Sequence, residues 1–432
     1  MDPKTFLFMP ESAYGPTNNC IGIGNVLRQR GHSVVFAAEA SWAGRLEAMG
    51  FVEDLVDLSP PPGPDDAAAE AAAGQFWIDF IRDTAPEFRK PTIEQLSTFV
   101  QPTWQALIDG ALYCQPQLAE ILARQRPDVI VEDNVNCFPA LLTGGARFVR
   151  MVSCNPLEMR GPDIPPVFSG YAMHDRTGWA EFRAEYDRTH RPMWTAYDEW
   201  VQSCGAPALA DLDFIHTSTD LNMYLYPEAV DYIDRRPLDG TWHRLDSSVR
   251  DTDGAFELPA NLVGGGGALI YLSLGSLGSA DVELMKRLVS ILANTPHRYI
   301  VSKGPQADEY ELADNMWGAA QVPQTRVLPL VDLVITHGGN NTTTECFHYG
   351  KPMVVLPLFW DQYDNAQRVD ETGFGVRLAT YAFDDAELIG AIDRLVGDSA
   401  LRHRLSAMSA TVRAQSGVTR AADLLEGLLE GW

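Results

Sequence analysis

The sequence predicts an α/β protein of two facing, doubly wound parallel-sheet domains with a ligand cleft between them. Three observations predict it. Short apolar strands alternate with helical stretches in the first half, the alternation restarts in the second, and a glycine run at Gly264–Gly267 divides the two. A chain of 432 residues exceeds one ordinary core, and its hydrophobic content of 46% is ample for burial.

Strands are expected at 5–9, 34–37, 129–132 and 148–153, with a helix over 21–30 closed by Gly31. Residues 60–74, rich in Pro, Asp, Ala and Gly, read as a mobile loop, as do residues 161–178. From 234 to 267 the pattern dissolves into polar residues. No helix pattern follows the glycine run directly, so it reads as a flexible linker rather than a phosphate cradle. Strands resume at 269–274, 298–301, 333–336 and 353–356. The expected domains are 1–240 and 268–415, joined by a linker at 241–267.

A net charge of −25 argues against nucleic acid or an anionic membrane surface as partner, and its ordinary consequence is solubility. The six cysteines are scattered, without a Cys-x-x-Cys pair or metal-ligand spacing, which suits reduced thiols in the cytoplasm. The first residues lack the basic region and apolar core of a signal peptide, and no apolar run is long enough for a membrane anchor. Arginine outnumbers lysine and alanine is plentiful, as in a GC-rich bacterial gene.

The most informative stretch is Asp332-Leu-Val-Ile-Thr-His-Gly-Gly-Asn-Asn-Thr-Thr-Thr-Glu345, followed by Gly350-Lys-Pro, Asp361-Gln362 and Asn365-Ala. An apolar strand enters a glycine turn and then a helix, which aims free N–H groups and a helix dipole at one point suited to a diphosphate. His337, Asn341 and Thr342 add donors there, and Asp361 with Gln362 suits sugar hydroxyls. Diphosphate and sugar together indicate a nucleotide sugar.

This pattern, His-x-Gly-x₅-Glu, Gly-x-Pro and Asp-Gln-x-x-Asn-Ala, resembles the donor signature of the UDP-glycosyltransferases, from about Leu269 to Val376. The resemblance implies glycosyltransferase family 1 and its GT-B architecture, near the bacterial macrolide and natural-product members. It also implies a final helix, within 416–432, crossing back onto the first domain. It places Ser276, His337, Gly339, Asn341 and Thr342 around the diphosphate, and Trp360, Asp361 and Gln362 at the sugar. Two roles stay open to Glu345, gripping the ribose hydroxyls or closing a capping box on Thr342. The family's aromatic base platform is absent from Gln321-Val322-Pro323-Gln324, so backbone contacts at Val322 and Gln324 are expected to meet the base. UDP-glucose is the expected donor, because a deoxysugar would leave polar groups unpaired; a dTDP-sugar is the alternative. No metal or other cofactor is expected, and Asp211-Leu-Asp213 reads as a surface or capping pair.

The family's catalytic histidine is missing. Counting back from Arg30-Gly31-His32 places the loop that carries it at Gly15-Pro16-Thr17-Asn18-Asn19, with proline in the base position. Asp133, which matches the aspartate that orients that histidine, remains. Asp133, Glu11 and Tyr14 are the replacement bases nearest in sequence. The expected activity is inverting, metal-independent hexosyl transfer to a small natural product or metabolite. Its acceptor pocket would lie among first-domain loops carrying Trp77, Phe80, Phe138, Phe168, Tyr171 and Trp179. The alternatives are an impaired nucleotide-sugar-binding auxiliary protein and an epimerase or hydrolase on the same fold.

Overall fold

The computed structural model describes residues 2–60 and 75–430. The loop expected at 60–74 therefore lies, beyond Pro60, outside the described residues, and so does the end of the final helix at Gly431 and Trp432.

The first sheet contains β1 (Thr5–Pro10), β2 (Ser33–Phe36), β3 (Val52–Glu53), β4 (Val129–Asp133), β5 (Arg147–Val152), β6 (Leu221–Tyr224) and β7 (Trp242–Arg244). Its order is β3-β2-β1-β4-β5-β6-β7, and every pairing is parallel. The second contains β8 (Leu269–Ser273), β9 (Arg298–Ser302), β10 (Met316–Ala319), β11 (Leu333–Thr336), β12 (Met353–Val355) and β13 (Gly375–Arg377). Its order, β10-β9-β8-β11-β12-β13, is again all parallel. Helices cover both faces of such sheets, so the central strands are continuous apolar runs with Phe6, Leu7, Val131, Leu272 and Ile335 fully buried.

The order in which strands are added reverses once in each sheet, between β1 and β4 in the first and between β8 and β11 in the second. Open α/β sheets hold ligands beyond the carboxyl ends of the strands at that reversal. Glu11 follows β1 and Asp133 ends β4; Ser276 lies shortly after β8 and His337 follows β11.

Several segments differ from the sequence reading. The first helix spans Tyr14–Gln29, so Gly15 to Asn19 are helical rather than a loop. Pro16 falls in the first turn, where an N–H would have no helical partner and proline is tolerated. Trp242–Arg244, inside the expected linker, pairs with β6 as an edge strand. Residues 161–178, read as a mobile loop, have no regular structure over most of their length but are pinned down. Asp364 accepts the N–H groups of Phe168 at 2.6 Å and Gly170 at 2.8 Å, and Glu371 accepts that of Met173 at 2.8 Å.

The last helix, Gly417–Glu430, packs on Tyr14–Gln29. Ala421, Ala422 and Leu425 join the core of Phe6, Cys20 and Ile21, and Arg30 bridges Asp423 at 2.7 Å and Glu426 at 2.5 Å. Gly417 starts this helix against the Ser247 carbonyl oxygen, which a Cβ would meet at 1.9 Å.

Candidate active site

The second sheet builds one wall of the cleft. β11 delivers His337 into a tight turn through Gly338 (φ 86°), and the Asn340–His348 helix begins at once, its free N–H groups directed into the cleft. Two glycines sandwich the imidazole. A Cβ on Gly275 (φ 73°) would meet the ring at 2.8 Å and one on Gly339 at 2.5 Å, so a larger residue at either place would displace it. Burial lowers the His337 pKa to about 4, against a hydrogen bond to the Ser273 backbone that raises it. The ring is therefore neutral at pH 7. Ser276 is exposed in the first turn of the short Gly275–Gly278 helix, next to this cradle.

Glu345 is buried one helical turn below Asn341. Its Oε1 accepts from Arg250 Nη1 at 3.0 Å and Asn341 Nδ2 at 3.2 Å; its Oε2 accepts from Gln324 Nε2 at 2.6 Å. Gln324 Nε2 also reaches Thr342 Oγ1 at 3.2 Å. Burial raises the Glu345 pKa, and Arg250 and Gln324 oppose that rise. The capping-box reading is corrected here. Thr342 lies inside the helix, the N-cap is Gly339, and the carboxylate is committed to side chains. Val322 is half-buried just before Pro323 and Gln324.

Trp360, Asp361 and Gln362 open the Gln362–Glu371 helix. Trp360 holds φ 58°, costly for a bulky residue, and its ring lies 4.2 Å from that of Phe168 and 5.3 Å from that of Trp104. Asp361 Oδ2 accepts the Asn155 N–H at 2.8 Å, and Asn155 Nδ2 donates to Asn365 Oδ1 at 2.8 Å. Gln362 Oε1 takes the N–H groups of Leu358 at 3.1 Å and Phe359 at 3.3 Å. Asn340 Nδ2 reaches back to the Ser153 carbonyl at 2.9 Å. These bonds close the second half onto the first.

The first half contributes acids. Asp133 Oδ2 accepts from Ser153 Oγ at 2.6 Å and Cys20 Sγ at 3.6 Å, and Asn19 Nδ2 donates to the same Ser153 Oγ at 2.9 Å. Burial pushes Asp133 up to about 7. Glu11 is tied by its own N–H to the Asp133 carbonyl at 2.8 Å. Burial pushes its carboxyl up to about 7, with the charges of Asp133 and Asp361 adding to the rise and the Ala13 N–H opposing it. Asp361 is likewise pushed up to about 7 by burial. Three carboxyls from both halves thus share one water-poor region. Tyr14 sits elsewhere. It is exposed against Trp42, and its hydroxyl takes Arg45 Nη1 at 2.8 Å and Gln321 Nε2 at 3.4 Å.

Among the expected pocket aromatics, Phe138, Phe168 and Trp179 are buried. Asp211 is an exposed partner of Arg191, and among the described residues no group of three His, Cys, Asp or Glu could hold a metal ion. No helix among the described residues is long and apolar enough to cross a membrane. Arg250, Ser153 and Asn155 escaped the sequence reading because each lies far from the donor motif in the chain. The only signal at Arg250 is a charge pair with Asp253, three residues away in a polar stretch.

Residues 286–428 match the family described as Erythromycin biosynthesis protein CIII-like, C-terminal domain. The oleandomycin glycosyltransferase of Streptomyces antibioticus is 27% identical over 97% of this chain and 89% of its own. The NDP-glycosyltransferase YjiC of Bacillus subtilis is 24% identical over 97% of this chain and 95% of its own. The crystal structure of the glycosyltransferase of kitacinnamycin superposes with a TM-score of 0.70 at 22% identity, covering 99% of each chain. Spinosyn rhamnosyltransferase SpnG complexed with thymidine diphosphate has a TM-score of 0.61 at 17% identity, over 97% of this chain and 100% of that one. Two facing parallel-sheet domains, the donor-like motif and these full-length relatives agree: the protein is a glycosyltransferase of GT-B architecture, similar to the family 1 natural-product glycosyltransferases.

Proposed function

We propose that the protein transfers a hexose from a nucleoside-diphosphate sugar to a hydroxyl of a small, partly apolar natural product, with inversion at the anomeric carbon. The observation that carries this reading is the meeting of two features across one cleft. The His337 turn and the helix N-terminus at Asn340 face the carboxyls of Glu11, Asp133 and Asp361.

The acceptor oxygen attacks the anomeric carbon as the bond from that carbon to the diphosphate oxygen breaks, and the electron pair leaves with the diphosphate. Backbone N–H groups at the helix start, together with His337, stabilise the charge gathering there. Asp361 and the Gln362 amide hold the sugar hydroxyls, which suits a hydroxylated hexose. The acceptor's proton goes to Glu11. Asp133 is already held by Ser153 and Cys20, whereas Glu11 lies near enough to Asp361 to feel its charge. Glu11 thereby takes over the work of the histidine that Pro16 replaces.

The aromatic wall of Trp360, Trp104 and Phe168 adjoins Asp361 and offers an apolar surface to the acceptor. Relatives named for oleandomycin and zeaxanthin fit an acceptor of that kind. No metal enters the step, and the cytoplasm is the proposed compartment. Proton NMR of the product tests the stereochemistry: an α-linked sugar nucleotide should give a β-linked product, and retention would contradict the mechanism.

A further inference from the structure

We infer that Asn155 is a positioning residue for the transfer reaction, holding Oδ2 of Asp361 across the cleft so that the rest of that carboxyl meets the sugar. This rests on the proposed function, in which Asp361 holds a sugar hydroxyl.

Asn155 stands in the first half of the chain, three residues beyond β5, and is fully buried. Two of its groups converge on Asp361. Its N–H donates to Asp361 Oδ2 at 2.8 Å, and its Nδ2 donates to Asn365 Oδ1 at 2.8 Å. Asn365 Nδ2 in turn lies 3.4 Å from the same Asp361 Oδ2, and it reaches the Gly338 carbonyl, next to His337, at 2.9 Å. Both contacts fall on Oδ2 and leave Oδ1 to the sugar. Burial raises the Asp361 pKa, and the Asn155 N–H is the largest influence opposing that rise.

The amide is not free to swing away. An asparagine side chain has one acceptor oxygen and two N–H groups. The Leu157 N–H meets the oxygen at 2.9 Å, which fixes the amide's orientation. The two N–H groups meet Asn365 Oδ1 and, at 3.2 Å, Tyr226 Oη. Asn155 holds φ −54° and ψ 138°, the extended backbone that the following Pro156 demands. The same short stretch carries Ser153, whose Oγ donates to Asp133 Oδ2 at 2.6 Å and whose carbonyl accepts Asn340 Nδ2 at 2.9 Å. Residues 153–155 thus set the spacing between the acids of the first half and the sugar carboxyl of the second. Small errors in such a spacing cost rate steeply.

The Asn155 side chain has two tasks, and serine separates them. Asn155→Ser keeps an oxygen for the Leu157 N–H, capping the short turn at Pro156–Glu158, but loses the reach to Asn365; Asn155→Ala loses both. Initial rates on the full chain use UDP- and dTDP-glucose beside their monodeoxy analogues, each lacking one sugar hydroxyl. The unmodified protein should prefer the parent over the analogue without the hydroxyl that Asp361 holds by about tenfold or more in kcat/KM, the worth of one hydrogen bond to a charged group. In both variants this preference should fall to within about threefold, because a displaced carboxyl no longer tells the two donors apart. Affinity for the nucleoside diphosphate alone should stay within about threefold by calorimetry. A loss of rate shared equally by all donors, or an Asn155→Ser variant with the unmodified preference, would leave Asn155 a structural cap and overturn the inference alone. Turnover by the unmodified protein without any such preference removes Asp361 from the sugar, and the inference with it. An unmodified protein with no turnover on any donor overturns the transferase reading itself.

Discussion

The carboxyl of Asp361, in the second half of the chain, accepts the backbone N–H of Asn155, in the first half, at 2.8 Å. One residue therefore belongs both to the proposed sugar site and to the contact that closes the cleft. Asp361→Asn keeps the shape and an oxygen for Asn155 but removes the charge offered to the sugar. Its kcat/KM should fall about thirtyfold, the ~2 kcal/mol of one hydrogen bond to a charged group. Affinity for the nucleoside diphosphate alone should stay within about threefold of the unmodified protein. Steady-state kinetics beside calorimetry checks this, and an equal loss in kcat/KM and in nucleoside diphosphate affinity would make Asp361 merely structural.

His337 begins neutral. Its pKa near 4 rises when a diphosphate dianion arrives, because the charge favours imidazolium. Binding should therefore take up protons increasingly, and tighten, as pH falls from 7 towards 5. Calorimetry in buffers of different ionisation enthalpy measures the uptake directly. His337→Gln should abolish it and lower turnover by about 10²-fold, as for loss of one preorganised donor. Unchanged diphosphate affinity and turnover in His337→Gln would remove His337 from the diphosphate site.

How far the sequence carried differs between strand and site. Among the eight strands read in advance, β1, β8 and β11 are built on contiguous apolar runs, and burial on both faces demands that pattern. β3 has two residues, and β6 carries Asn222, whose buried amide is satisfied by Ser218 and Thr241. Neither shows the pattern. The start of the first helix was hidden because Gly15, Pro16, Asn18 and Asn19 read as turn residues. The donor motif was legible because it is continuous in the chain. Arg250 meets Glu345 from 95 residues away, and Asn155 meets Asp361 from 206; no local spacing encodes either meeting.

Glu11 should be separable from Asp133 by acceptor chemistry. Glu11→Gln should lower kcat about 10²- to 10⁴-fold with aliphatic alcohols, the usual contribution of a general base. The loss should be much smaller with acidic phenols, which arrive partly ionised. The rise of kcat/KM through about pH 7 in the unmodified protein should become shallower in this variant, leaving the part due to Asp361. Initial rates across both acceptor classes decide it, and a uniform, pH-independent loss would remove Glu11 as the base.

Stability should fall as pH rises through neutrality. Burial pushes Glu11, Asp133 and Asp361 up to about 7, and Glu132 and Asp364 up to about 8. The unfolded chain has lost these protons by about pH 5 while the folded one keeps them, so stability present at low pH is lost through pH 7 to 8. The depressed pKa of His337 acts oppositely, but only below its ordinary 6.5. Thermal unfolding should therefore give a lower Tm at pH 8.5 than at pH 6.5, with a smaller drop in Asp364→Asn. A flat or rising Tm would contradict the assignment.

The most direct test of glycosyl transfer is release of nucleoside diphosphate from UDP- and dTDP-hexoses, in metal-free buffer, with and without a panel of apolar hydroxylated natural products. The account predicts release that depends on an acceptor and yields an equal amount of glycosylated product. Release without an acceptor would make the protein a hydrolase, and binding without release under any condition would make it an auxiliary nucleotide-sugar-binding protein.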